Sequence, residues 1–234
     1  QTFDLPISFK HHFQMILHLL EKLNSKKIIL GSGSPRRKEL LSQIGVKFEI
    51  IKSKFDEDTV DISLRPDDYV TASAVGKAQW VVDHCQAQDK EWDLIIGVDT
   101  VVIFPEHKTH RGSPIVGKPK DTKDLLEILS KLSGSTHRVI SGVCMVINGK
   151  YSKDGKNSVV SFHDTTELTF GDIPVALIEE YSKSSEPYDK AGGYAIQGTA
   201  STWCTEMHGS YFNVMGFPLH KISKELANFI IKTE

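Results

Sequence analysis

Residues 93–104 read DLIIGVDTVVIF, the most apolar run in the chain. The run is too short to cross a bilayer as a helix, which takes roughly 18–20 apolar residues. It is therefore expected as a central strand, interrupted at Gly97–Thr100 where the apolar pattern breaks. A strand this apolar has to be covered by other elements. It also carries a carboxylate, Asp99, and an ionised group in such a place is costly unless it is paired or bound to a cation. Asp99 is thus a candidate functional residue. A carboxylate satisfied by a neighbouring turn is the alternative.

The flanking segments supply that cover. KKIIL at 26–30 is a short apolar strand stopped by Gly31. PRRKELLSQI at 35–44 has helical spacing, with Pro35 suited to the first turn and Gly45 to the end. KFEIIKS at 47–53 alternates as a strand. Residues 65–85 form a long helical pattern, with Asp67 as candidate N-cap and Tyr69, Ala72, Val75 and Ala78 on one face. After 93–104, a polar tip at 107–113 leads back through IVGKP as a hairpin. A helix is expected at 121–134, from Asp121 as N-cap to Gly134 as stop. Residues 137–149 and 157–170 are β-rich around a KDGKN turn. Then come a helix at 173–184, a short strand YAIQG at 194–198 and a closing amphipathic helix at 217–232. This alternation implies an α/β fold with a mixed sheet. Residues 1–25 carry apolar residues at helical spacing (Phe9, Phe13, Ile16, Leu17, Leu20, Leu23), interleaved with His11, His12 and His18. They are expected as an N-terminal helical extension packed outside the main fold at 26–234, with the histidines on a solvated face.

Composition narrows the functional classes. Of 234 residues, 39% are apolar and 25% charged, which describes a soluble globular chain and not a membrane one. The formal net charge of -2 argues against a nucleic-acid partner. Three widely spaced cysteines (Cys85, Cys144, Cys204) make neither a disulfide framework nor a metal knuckle, and fit a reducing, cytoplasmic setting.

The polar residues worth weighing fall in five places. GSGSPRR at 31–37 joins a strand to a helix start, where free backbone N–H groups and the helix dipole favour an anion. The hydroxyls of Ser32 and Ser34 and the forked donors of Arg36 and Arg37 suit phosphate. An ordinary capped helix with exposed arginines reads at least as well from these residues alone. Glu57 is either a metal-ligating carboxylate acting with Asp99 or part of a solvated acidic turn. Lys77 reads alone as a solvated helical lysine, and Lys118 as an exposed loop lysine in a constrained Gly-Lys-Pro turn. Gln197 follows a predicted strand and offers both a carbonyl and an amide, which can read a nucleobase edge.

Taken in order, SGSPRRKELL, GVDTVV, GKPKD, LSGSTHRVISGV, EPYDKAGGYAIQG and HGSYFNVMGFPL resemble the Maf family of nucleoside triphosphate pyrophosphatases over residues 26–230. The Maf-like domain of animal acetylserotonin methyltransferase-like proteins is similar. The resemblance implies a two-lobed α/β fold, an elongated mixed twisted sheet flanked by helices as in inosine triphosphate pyrophosphatase, and a homodimer. It implies hydrolysis of a nucleoside triphosphate to the monophosphate and pyrophosphate with Mg2+ or Mn2+. By the same match Asp99 is the proton acceptor, Lys118 a further catalytic residue and Glu57 with Asp99 the metal side. Ser32, Ser34, Arg36 and Lys77 meet substrate, and Arg37, Thr100 and Gln197 lie at positions associated with substrate choice. AGGYAIQG is similar to the branch acting on dTTP and UTP. The loop at 105–115 is longer than the family hairpin. Two other readings are a catalytically silent nucleotide-binding regulator of cell division and a 7-methyl-GTP pyrophosphatase.

Overall fold

The computed structural model describes residues 16–104 and 112–233. Seven strands form one mixed sheet. Its main path runs β2 (Glu49–Ile50), β1 (Ile28–Leu30), β3 (Leu94–Ile103), β5 (Thr136–Ile147), β6 (Ser158–Phe170) and β7 (Cys204–His208), with β4 (Ile115–Val116) on β3. Strands β2, β1 and β3 are parallel, and the remaining pairs are antiparallel.

Strand β3 is continuous, contrary to the expected interruption. It pairs with β5 without a slip from Leu94↔Ile147 to Ile103↔Arg138, so Gly97 and Asp99 keep their places in the ladder. Its other edge is shared. β1 covers Leu94–Ile96, β4 covers Val102 and Ile103, and among the described residues the stretch between has no strand beside it. That gap in the edge is the floor of a cleft.

Helix α3 (Pro66–Ala87) covers one face of β3 and β5. A Cβ at Gly97 would stand 2.4 Å from the Ala74 carbonyl oxygen, and one at Gly142 2.4 Å from that of Val70. The helix backbone therefore rests on two glycines of adjacent strands. The buried face of α3 is Val70, Ser73, Ala74, Ala78, Val81, Val82 and Cys85; of the expected face Ala78 belongs to it, while Tyr69 and Ala72 are half-buried and Val75 is exposed. Small Ala74 and Ala78 are what allow the close approach. Asp67 sits in the first turn and is not the N-cap, because Pro66 takes the first helical position and Arg65 precedes it.

The opposite face carries the main core. Leu94, Ile96, Val98 and Val102 pack there with Leu40 and Leu41 of α2 (Pro35–Gln43) and with Leu125, Ile128 and Leu129 of α4 (Thr122–Leu132). Leu226 and Phe229 of the closing helix (Leu219–Thr233) join the same core. Asp121 caps α4 as expected, accepting from the Asp124 N–H at 2.8 Å.

Two further expectations differ from the structure. Residues 194–198 form no strand; they lie between 3-10 turns at Ala191–Gly193 and Thr199–Trp203, with Tyr194, Ala195 and Ile196 all buried. The edge strand comes later, as β7, which pairs with β6. The N-terminal segment is not wholly outside the fold. From Ile16 it forms a 3-10 turn and helix α1 (Leu20–Asn24), and Leu19 and Leu23 are buried in the main core. His11 and His12, and residues 105–111 of the loop expected to be long, lie outside the described residues.

Two outcomes follow. Gly97→Ala should lower stability by roughly 1–3 kcal/mol in urea unfolding, because the atoms in its way are helix backbone. The second concerns His137 in β5, whose Nε2 lies 2.7 Å from the Tyr194 hydroxyl. Burial pushes its imidazole down from 6.5 to about 4. The unfolded chain therefore binds a proton the native chain refuses. Stability should be full above pH 6.5 and fall between there and pH 4, by at most about 3 kcal/mol from this group. His137→Leu should flatten that part of a urea-midpoint profile; an unchanged slope would contradict the assignment.

Candidate active site

The turn between β1 and α2 opens onto the cleft. Pro35 holds the first helical position, and Ser34 before it makes no side-chain capping bond. The N–H groups of the first turn of α2 thus keep their unmet capacity on the cleft side. The Ser34 N–H donates instead to Ser32 Oγ at 3.3 Å.

The two arginines separate sharply. Arg37 is a hub. Its Nε donates to Gly216 O at 2.9 Å, its Nη1 to Ser32 Oγ at 2.9 Å and Val98 O at 3.0 Å, and its Nη2 to Thr100 Oγ1 at 3.0 Å. Val98 O belongs to the stretch of β3 with no strand beside it, so the guanidinium takes the place of a missing ladder partner. Behind it, Thr100 Oγ1 and Ser141 Oγ share a hydrogen bond of 3.0 Å, and Ser141 Oγ donates to Asn213 O at 3.1 Å. Desolvation lowers the Arg37 guanidinium to about 10, while nearby Asp99 opposes the shift. Arg36 has no hydrogen bond or ion pair among the described residues and is half-buried on the cleft wall. Desolvation lowers it too, countered by the field of Asp189. Of the two, Arg36 has its donors to give.

Asp99 leaves β3 on the opposite side, toward α3. Its Oδ1 accepts from Lys77 Nζ at 2.6 Å, and the same Nζ lies 2.8 Å from Glu57 Oε1. The Asp99 and Lys77 side chains are only 8% and 12% exposed, whereas that of Glu57 is 48% exposed, so the pair that matters electrostatically is Lys77–Asp99. Glu57 opens a 3-10 turn, Glu57–Thr59, whose N-cap Asp56 accepts from Asp58 N–H. Tyr69 lies alongside, its phenol raised by desolvation and then by the charges of Asp99 and Glu57.

Glu57 and Asp99 thus meet on one lysine, with the second oxygen of each free of a hydrogen bond among the described residues. No group of three metal-ligating side chains occurs among those residues. Two carboxylates without a third suit a small hard cation that completes its shell with phosphate oxygens and water. They do not suit an all-protein cage. The donor set therefore fits a small hard divalent cation.

The far wall comes from the segment after β4 and from residues 189–194. Lys118 is exposed there, and neighbouring Gly117 O accepts from Gly192 N–H at 2.9 Å. Ser32, Ser34, Arg36, Arg37, Glu57, Lys77, Asp99, Thr100 and Lys118 all line one cleft of about 700 Å³. Gln197 is not among its lining residues and is exposed. With Ala195 and Ile196 buried and no strand formed, its side chain faces solvent. Lys52, Tyr69 and Asp189 line the cleft without having been singled out. Lys52 had a readable signal: it follows a strand parallel to β1, and the carboxyl ends of parallel strands open onto the same crevice. Asp189 lies within the EPYDKAGGYAIQG motif, and Tyr69 had no signal beyond its helical spacing.

The family model described as Maf-like protein matches residues 27–229. Among curated relatives, a dTTP/UTP pyrophosphatase of Bacillus cereus (strain ATCC 10987 / NRS 248) is 38% identical over 218 residues, covering 93% of this chain and 97% of that protein. One from Bacillus cereus (strain AH820) is 39% identical over 206 residues, 88% of this chain and 97% of its own length. One from Bacillus cytotoxicus is 38% identical over 204 residues, 87% and 96%.

The arginine geometry makes a prediction. Arg37→Met strips four acceptors of their donor and should cost roughly 3 kcal/mol of stability. Arg36→Met should stay within about 1 kcal/mol. Urea unfolding of both variants checks the asymmetry, and equal losses would refute the hub assignment.

Proposed function

The chain belongs to the Maf-like protein family, and from that premise we propose that it hydrolyses dTTP and UTP to the monophosphate and pyrophosphate. One observation supports this most directly. A desolvated Lys77–Asp99 pair faces an uncapped helix start and an Arg36 with no partner among the described residues, across a single cleft. That is what an anhydride hydrolysis needs: a carboxylate near the attacked phosphorus and cations where charge accumulates.

In this reading the triphosphate docks on the turn at 31–37. The hydroxyls of Ser32 and Ser34, the first-turn N–H groups and Arg36 bind its oxygens, and Lys118 closes on them from the opposite wall. Asp99 accepts the proton of the attacking water, and Lys77 holds that carboxylate in place. Glu57 and Asp99 are the residues that would hold a divalent cation, Mg2+ or Mn2+, which when bound supplies charge neutralisation at the phosphates. Arg37 and Thr100 act on substrate choice through the wall they share with Gly216. Gln197 enters only if its segment moves toward the cleft. No helix among the described residues is long and apolar enough to cross a membrane. A cytoplasmic homodimer with no nucleic-acid partner completes the proposal, supported by the cysteine spacing, the charge balance and the family resemblance.

A silent nucleotide-binding module would not need Asp99, Lys77 and Glu57 drawn together, so the enzyme reading is favoured over it. Pyrophosphate release from a panel of nucleotides tests both. dTTP and UTP should be hydrolysed and 7-methyl-GTP spared. Asp99→Asn should lower kcat by about 10²–10⁴-fold, the range expected for loss of a general base. Near-normal turnover by that variant would sink the mechanism, and no turnover of any nucleotide by the parent would sink the function.

A further inference from the structure

Glycine is the poorest helix former after proline, yet Gly76 stands in the interior of α3, directly before Lys77. Contact with the sheet does not explain it, because Ala74 and Ala78 are the residues that meet Gly97. The explanation lies on the other side. A Cβ at position 76 would stand 2.3 Å from Phe55 Cζ, 2.5 Å from its Cε2 and 2.7 Å from its Cε1. The tip of the Phe55 ring rests on bare helix backbone, in a slot that any side chain would fill.

The segment carrying Phe55 has little else to hold it. β2 is two residues long with both exposed, and Asp56, Glu57, Asp58 and Thr59 are exposed as well. The bond of Val60 N–H to Glu57 O and the cap of Asp56 on Asp58 are internal to the turn. The Glu57–Lys77 pair cannot anchor the segment either, since an ion pair with one partner half in solvent contributes little. Upstream, Ile51 N–H donates to Leu30 O at 3.2 Å and its side chain packs against the core beside α3, so the Phe55 ring is the apolar anchor nearest Glu57. The spacing then becomes informative. Phe55 and Glu57 on the loop meet Gly76 and Lys77 on the helix, so the seat of the ring sets where the carboxylate arrives.

We propose that Phe55 and Gly76 form a knob and slot that positions Glu57 on Lys77, making Phe55 a positioning residue for the acidic side of the site. The proposal rests on the hydrolase reading above. Gly76→Ala separates it from a purely structural role, because alanine is the better helix former and by itself should leave stability unchanged or higher. The slot predicts the opposite sign for function: kcat/KM for dTTP about tenfold lower in Gly76→Ala and in Phe55→Ala. The double variant should be no worse than either single one, since both remove the same contact. Hydrogen exchange of the Thr59 and Val60 amides should accelerate in each single variant, and Gly76→Ala should add nothing once Phe55 is alanine. Unchanged exchange and kinetics in Gly76→Ala, or losses that multiply in the double variant, would overturn the proposal. If the parent protein hydrolyses neither dTTP nor UTP, the function reading fails while the exchange comparison still decides the slot.

Discussion

The contact of α3 with two glycines of the sheet is the constraint on which the rest depends. Backbone meets backbone at Gly97 and Gly142, on neighbouring strands in the middle of the sheet. With no side chains between them, the helix lies close enough for Lys77 to reach Asp99 in the next layer at 2.6 Å. A bulkier interface would hold the helix further out and leave Asp99 buried without its counter-charge, a costly state. The same closeness keeps water from the pair, so its mutual attraction is larger than a surface pair's.

The second organising fact is the open length of the β3 edge. Strand β1 stops pairing at Ile96 and β4 begins at Val102. In that gap successive residues serve opposite sides of the cleft: Asp99 rises to α3, and Thr100 drops to Arg37. Alternation along a strand makes this possible from adjacent positions. Arg37 fills part of the gap and ties the β1 exit, β3 and Gly216 together, which leaves its neighbour Arg36 as the arginine free to meet a ligand.

Much of this was legible in the chain. The apolar run at 93–104, the helix at 121–134 with its Asp121 cap and the closing helix at 217–232 were readable because hydrophobic period and cap chemistry are local signals. So was the candidate site: the expected phosphate turn, Asp99, Glu57, Lys77 and Lys118 lie in one cleft. The supposed break at Gly97 was not a break, because a glycine that admits a helix and one that ends a strand look alike in sequence. Of the face expected on α3, Ala78 is buried and Val75 is not, because Ala74, which shares the contact with Gly97, is selected by closeness and not by hydrophobicity. The strand expected at 194–198 failed because its apolar residues are buried without a ladder partner.

By itself, then, the sequence determined the long helices and the central strands, which carboxylates and cations are available, and, through the order of its motifs, the family. It could not say that Lys77 is held by Asp99 and Glu57, that Arg37 is bound to the protein while Arg36 has no partner among the described residues, that Gln197 faces solvent, or that Gly76 seats Phe55. Those are relations between residues distant in the chain. They are settled by how closely two backbones approach and by which acceptors a strand leaves unpaired, and only the packed structure fixes either.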